Sequence, residues 1–213
     1  MFFSRKKKAQ ESEFHNDAAD EFRRPTVLDE DPIWNQPGPR SKNEVDFSVG
    51  YVDMGSLQLP VVPGMQIQSQ AIEGTDTILR VLVFLGNSGL QISVAAAPRS
   101  GGVWQEIRQQ IIEAFQAEGA QATESEGRYG TELRTVVPSQ MPDGGSAQSH
   151  MRIIGCEGPR WFARIDILGP AVNVPAQMAE IEKFIDRIVV VRDDKPRARL
   201  ESLPVHMPRE VAE

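Results

Sequence analysis

Residues 151–192 of the chain read MRIIGCEGPRWFARIDILGPAVNVPAQMAEIEKFIDRIVVVR. This pattern predicts a strand over Met151–Ile154, a turn over Gly155–Pro159 and a second strand over Arg160–Leu168. Two strands that are joined by so short a turn pair as an antiparallel hairpin. The segment is therefore interpreted as the closing hairpin of a sheet.

Side chains of the second predicted strand alternate between two faces. The apolar face consists of Trp161, Ala163, Ile165 and Ile167. The other face, which is mostly polar, consists of Arg160, Phe162, Arg164 and Asp166. A strand of this kind packs one face on a core and turns the other toward solvent.

An amphipathic helix is predicted after the hairpin. Pro175 suits its first turn, and Met178, Ile181 and Ile188 recur at the spacing of one helical face. Val189–Arg192 is then predicted as a last strand, with almost no loop before it.

Shorter strands are predicted upstream of this segment. They lie around Phe47–Tyr51 and Met65–Gln68, and Ile78–Leu85 forms a hairpin with Leu90–Ala97. A first helix follows over Trp104–Phe115, where apolar residues recur every three or four positions.

Two further strands, Thr131–Val137 and Met151–Ile154, are predicted on either side of a connection over Pro138–Ser149. The strands are joined by hairpins, and the two helices do not alternate regularly with them. This order indicates the α+β class, a mainly antiparallel sheet with two amphipathic helices packed on one face.

The predicted organisation is one domain with two tails. Residues 1–44 lack a periodic apolar pattern and are interpreted as a disordered arm, basic at first and then acidic. Residues 45–195 form the α+β domain. Residues 196–213 contain three prolines, Pro196, Pro204 and Pro208, and are predicted to run as an extended strap or tail.

The start of the arm combines aromatic and basic residues, namely Phe2, Phe3, Arg5, Lys6, Lys7 and Lys8. Such residues can contact an anionic membrane surface, although the acidic stretch after them opposes that attraction and favours a solvated tail. No apolar run follows the cluster, and no segment approaches the ~20 apolar residues of a membrane-spanning helix. The sequence therefore predicts a cytoplasmic protein.

Composition narrows the possible functions. With 40% hydrophobic and 25% charged residues the chain is typical of an ordinary folded domain. Its net charge of -7 argues against nucleic acid as the main ligand. The single cysteine, Cys156, excludes an intrachain disulfide and a cysteine-based zinc site, and suits a reducing compartment.

No catalytic, metal or cofactor site is predicted. On one extended strand His150 and Cys156 would lie about 20 Å apart, too far for a base and its nucleophile. Cys156 is expected at a strand end, as a small residue of a turn. The carboxylates Glu157, Asp166 and Asp186 are each expected on solvated faces. An enzymatic role is therefore not favoured.

A candidate interaction surface combines the predicted polar sheet face with the loop before the first helix. Its residues are Arg99, Ser100, Gly101, Trp104, Arg152, Arg160, Phe162 and Arg164. Arginine and aromatic residues are enriched at protein interfaces, so our preferred hypothesis is a module that binds or scaffolds another protein. The alternative is a small-molecule or nucleotide site, with an anion held by these arginines and the loop amides.

Several stretches of the chain together resemble a known family. They are Pro98–Trp104, Gly155–Arg164, Val189–Arg192 and Leu203–Pro208. As a set they are similar to the signatures of an actinobacterial family of domains of unknown function, number 3710, for which the resemblance implies no activity. Cys156 stands where that family is expected to have a Val-like residue. The element order also resembles, more loosely, the Mog1 and PsbP-like fold, which implies protein partners rather than catalysis.

Overall fold

The computed structural model describes residues 32–72, 74–75, 77–140 and 146–208. Residues 1–31 of the predicted arm, with its membrane-contacting cluster, and residues 141–145 of the predicted connection lie outside this part of the chain.

The described residues form eleven strands and two α-helices, with short 3₁₀ turns at Pro32–Asn35 and Pro170–Val172. In chain order the elements are β1 (Arg40–Ser41), β2 (Tyr51–Asp53), β3 (Leu57–Pro60), β4 (Gln66–Ala71), β5 (Ile78–Leu85), β6 (Ser88–Ala96), α1 (Val103–Ala117), β7 (Gln121–Gly127), β8 (Gly130–Gln140), β9 (Ser146–Gly158), β10 (Trp161–Leu168), α2 (Pro175–Asp186) and β11 (Val189–Val190). Neither helix of the described chain is long and apolar enough to cross a membrane.

The strands form two sheets. The larger has seven antiparallel strands in the order β4-β5-β6-β10-β9-β8-β7, and the smaller has the order β1-β11-β3-β2. Within the smaller sheet β1 runs parallel to β11. The predicted α+β class with a mainly antiparallel sheet is thus confirmed, as are the β5–β6 and β9–β10 hairpins.

The two helices lie on opposite faces of the large sheet, which corrects the expectation that both pack on one face. Buried residues of α2 share a core with Trp161, Ala163 and other apolar residues of β10. Residues of α1 form a separate core with Phe162 on the other face of the same strand. The face that the sequence marks as polar is therefore half covered by a helix.

Trp104 is the residue that fixes α1 on this face. Its indole stacks on the Phe162 ring, with centroids 6.1 Å apart, and its Nε1 donates to the Thr131 carbonyl oxygen at 2.7 Å. The indole lies directly over Gly155 of β9, where any Cβ would overlap its ring atoms. A glycine at this position is thus required by the close approach of the helix.

The domain starts earlier than residue 45, which corrects the boundary predicted for the arm. Residues 38–41 are buried, and the Arg40 amide donates to the Ile188 carbonyl oxygen at 2.8 Å. The contacts are made by backbone, so they leave no periodic apolar pattern in the sequence.

The C-terminal segment pairs with β6 at Val94 and Ala96, past Ile92, where the pairing of β6 with β5 stops. The Leu200 amide donates to the Ala96 carbonyl oxygen at 2.8 Å, and the Leu203 amide donates to that of Val94 at 3.0 Å. The Leu203 side chain is buried in the main core. This segment therefore occupies the edge that β5 leaves unpaired.

Some strands differ from the predicted ones. β9 extends to Gly158, so Cys156 is buried within a strand instead of standing in a turn. The turn consists of Pro159 and Arg160, and Arg160 adopts a left-handed φ of 66°. β7 was not predicted, because its sequence QATESEG carries almost no apolar residues.

Two glycine-to-alanine substitutions, one at Gly155 and one at Gly89, test the role of Gly155. Gly155→Ala is expected to lower the free energy of unfolding by about 1–3 kcal/mol, because the new methyl group overlaps Trp104. Gly89→Ala is expected to raise it by about 0.4–1 kcal/mol, since a Cβ there meets only ordinary contacts at 3.6 Å and the unfolded chain loses freedom. Urea denaturation followed by circular dichroism measures both. Effects of the same sign would contradict the packing described.

Candidate functional site

The predicted interaction surface is divided by the fold. Arg164 and Phe162 lie on the α1 face of β10, whereas Arg152 is paired with Ile167 and points to the α2 face. Trp104, Phe162 and Arg152 are buried, with exposed fractions of 7%, 4% and 5%. These three side chains are therefore unavailable to a protein partner at the predicted surface.

The loop before α1 does not offer a free anion site. The Trp104 amide, at the start of the helix, donates to Glu157 Oε1 at 2.6 Å. Glu157 Oε2 lies beside Gly101. A carboxylate of the chain itself thus occupies the positive end of the helix. Residues Arg99 and Ser100 are exposed in this loop.

The arginines of the sheet are paired with carboxylates. Arg164 donates from Nε and Nη2 to the two oxygens of Asp166, at 2.7 and 2.9 Å. Arg152 Nη2 donates to Glu132 Oε2 at 2.7 Å. Asp166 is buried, so the expectation of a fully solvated carboxylate there is wrong, and its partner is the reason it tolerates burial.

No helix of the described residues covers the other half of the α1 face of the large sheet, because α1 packs against β7 and β9. We call this uncovered area the open half-face. It consists of Gln66, Gln68, Gln70, Arg80, Leu82, Phe84, Gly89, Gln91, Arg164, Asp166 and Leu168. These residues belong to β4, β5, β6 and β10.

A hollow of about 330 Å³ lies at one end of the open half-face. Gly89 is paired with Phe84 on one side and with Leu168 on the other, so these three residues form one row across the sheet. Gly89 has no side chain and forms the floor of the hollow. Phe84 and Leu168 are half-buried and form its walls, together with Leu82.

Polar side chains flank the hollow. Arg80 Nη1 donates to Gln91 Oε1 at 3.1 Å. Arg164 lies farther along the same face, with part of its side chain exposed. The open half-face therefore combines an apolar hollow with two guanidinium groups, a combination typical of recognition surfaces.

Asp186, at the end of α2, is a second buried centre and corrects the expectation of a solvated carboxylate. The Gly38 amide donates to its Oδ1 at 3.0 Å, and Arg128 donates to its Oδ2 from Nε and Nη2 at 3.1 and 2.6 Å. The Tyr129 hydroxyl lies 3.0 Å from Oδ1. The carboxylate thus joins the N-terminal segment, the β7–β8 turn and α2.

Burial and this carboxylate change the acidity of nearby groups. Burial, and then the negative charge of Asp186, raises the pKa of the Cys156 thiol from its ordinary value of 9.0 to about 12. The same two causes, in the same order, raise the pKa of Tyr129 well above its ordinary range. A thiol held protonated in this way is a poor nucleophile, so Cys156 is a packing residue.

Within the described ranges, no group of three or more His, Cys, Asp or Glu side chains is arranged to hold a metal ion. The residues that the sequence reasoning missed are Leu82, Phe84, Gly89 and Leu168. Leu82 and Phe84 alternate with the buried Val81 and Val83, which makes both faces of β5 apolar. In an antiparallel sheet, a strand that is apolar on both faces indicates that its second face is partly covered or forms a binding surface.

Comparison with known proteins identifies a family and loosely similar structures. A family model described as protein of unknown function (DUF3710) matches residues 38–213, which confirms the resemblance seen in the sequence. The search of the curated proteins found no match.

The solution structure of cyanobacterial PsbP (CyanoP) from Synechocystis sp. PCC 6803 is 6% identical, with a TM-score of 0.38, and the match covers 68% of this chain and 96% of that one. A crystal structure of a protein from Bacteroides thetaiotaomicron VPI-5482 is 13% identical, with a TM-score of 0.39, covering 70% and 51%. Both likenesses are distant and carry no argument about function.

The raised thiol pKa leads to a prediction for Cys156. At neutral pH the folded protein is expected to react with a thiol reagent far more slowly than the urea-unfolded chain. The folded state keeps the proton that the unfolded thiol loses above pH 9.0, so the free energy of unfolding is expected to fall between pH 9.0 and about 12. Cys156→Val should reduce this fall. Rapid labelling of the folded protein would contradict the burial.

Proposed function

Because the chain belongs to the DUF3710 family of proteins of unknown function, which supplies no activity, we propose from its geometry that it is a non-catalytic protein-binding module. The docking surface is the open half-face. The observation that supports this proposal is the hollow between Phe84 and Leu168, which α1 leaves uncovered.

The hollow is suited to one large apolar side chain of a partner. Binding energy at protein interfaces is concentrated where such an anchor fills a desolvated pocket. The floor at Gly89 and the walls at Phe84 and Leu168 provide that pocket, because the three residues lie in one row of the sheet.

The flanking charges favour a partner segment with a carboxylate next to its apolar anchor. Arg80 is exposed, and the two hydrogen bonds of Arg164 to Asp166 come from Nε and Nη2. Among the described residues Nη1 of Arg164 is therefore a further donor. The proposal retains Arg164 on the docking surface. Arg99, Ser100 and Arg160, near the other end of β6 and β10, stay in it as secondary contacts. The proposal includes the cytoplasm as the location, which the single buried thiol suits.

Replacement of the hollow's floor tests the proposal. Gly89→Val fills the hollow with a β-branched residue suited to a strand, and is expected to remove the partner without unfolding the domain. Phe84→Ser, which removes a wall, is expected to have the same effect. Val49→Ser is the matched control, because Val49 is 64% exposed and lies outside the open half-face.

The measurement is quantitative affinity capture of the full chain expressed at its native level, with the wild type and the three variants compared by mass spectrometry. The expected result is one or more proteins retained by the wild type and Val49→Ser and lost from both hollow variants. Thermal melting of each variant shows that the fold is kept. The same proteins retained by all four chains would contradict the proposal.

A further inference from the structure

A second concave site, a cleft of about 450 Å³, lies on the α2 side of the large sheet, on the face opposite to the open half-face. It is bounded by the end of the β7–β8 hairpin, by β9 and by the turn that leads into α2. Its charged lining consists of Arg128, Glu132, Arg134, Arg152 and Glu182. Ala171, Val172 and Met178 form an apolar wall.

Two of the charged side chains are deeply buried. Arg152 and Glu132 are 5% and 1% exposed, and Arg152 Nη2 also lies 3.8 Å from Glu182 Oε1. Arg152 Nε is buried and has no hydrogen-bond partner among the described residues. Taking such a pair out of water costs free energy that the pairing hardly recovers, so stability alone is a weak reason for this arrangement.

The backbone around the pair is shaped to admit it. A Cβ on Gly127 would lie 2.5 Å from Glu132 Oε2, so a larger residue there would displace the buried carboxylate from its present position. Glu132 in turn holds the Arg152 guanidinium at the inner end of the cleft.

The cleft has more hydrogen-bond donors than its own carboxylates accept. A guanidinium carries five N–H groups, and three guanidiniums line the cleft beside two carboxylates. Arg128 is held by Asp186, which lies behind the lining. The Arg134 side chain is 48% exposed, and its one carboxylate contact among the described residues is Glu132 at 3.5 Å. Among these three, Arg134 is thus the solvent-exposed guanidinium with free donors, and the buried Arg152 adds its unpaired Nε.

The start of α2 adds to this positive character. Pro175, the first residue of the helix, lines the cleft. Within the described part of the chain no side chain caps this end of α2, and its first turn contains no acidic residue. The positive end of the helix dipole therefore adds to the attraction of the arginines for an anion in the cleft.

We propose that this cleft binds a small organic oxyanion, a carboxylate or a phosphate monoester, with its charged head on Arg134 and Arg152. The short apolar part of the ligand packs against Met178 and Val172. Planar forks of N–H donors suit both kinds of head group, because each offers paired acceptor oxygens.

Thermal melting of the full chain with three probes tests this site. The probes are pentanoate, butyl phosphate and pentylammonium, all at matched ionic strength. A saturable rise of Tm is expected with at least one of the anions and none with the cation, because only an anion satisfies the excess donors. Which anion binds identifies the head group.

Two variants and an NMR measurement locate the effect. Arg134→Gln is expected to weaken binding about tenfold or more, since a charge-assisted hydrogen bond is lost. Arg199→Gln, which removes a similarly exposed guanidinium that pairs with Glu106 of α1, should leave binding unchanged. Chemical shifts of the Met178 methyl group should move on binding. The proposal is overturned if neither anion raises Tm or if Arg134→Gln binds as tightly as the wild type. It is also overturned if binding changes the chemical shifts of other residues and not that of the Met178 methyl group.

Discussion

The contact between Trp104 and Gly155 is the constraint on which the arrangement of the molecule depends. Because Gly155 has no side chain, the indole lies against β9 and stacks on Phe162. This contact places α1 over β7 and β9. The strands on the other side, β4 to β6 with β10, therefore keep a face that neither described helix covers, and that face is apolar at Phe84 and Leu168. The proposed docking surface is thus a consequence of where one helix is anchored.

The opposite face is organised by a buried carboxylate. Asp186 accepts hydrogen bonds from the Gly38 amide and from Arg128, which brings the N-terminal segment and the β7–β8 turn onto α2. A buried carboxylate that lost one of these donors would be left partly unsatisfied, at a cost of about 1–3 kcal/mol. The arginine cleft lies beside this cluster and shares Arg128 with it. The two candidate sites therefore lie on different faces of the sheet. The open half-face depends on the contact of Trp104 with Gly155, and the cleft depends on the Asp186 cluster.

The class and the hairpins could be predicted because they are encoded locally. Alternation in β10 and helical spacing in α1 and α2 depend only on neighbours in the sequence. The side of the sheet that each helix covers depends on Gly155 and Trp104, which are 51 residues apart. The pairing of β1 with β11 uses backbone groups, which no side-chain pattern records. Of the predicted surface, Arg164 remains on the proposed docking face. Phe162 is buried beneath α1, and Arg152 is buried on the opposite face, where it pairs with Glu132.

Hydroxyl-radical footprinting of the full chain, purified and inside its own cells, tests the central claim most directly. In the purified protein Phe84 and Leu168 should be oxidised. Trp104 of α1 and Phe162, which packs beneath it, are both buried and should be protected. Inside cells a bound partner should protect Phe84 and Leu168 as well, while the exposed Val49 stays labelled. Equal labelling of Phe84 and Leu168 in both settings would contradict the account of the open half-face as a docking surface.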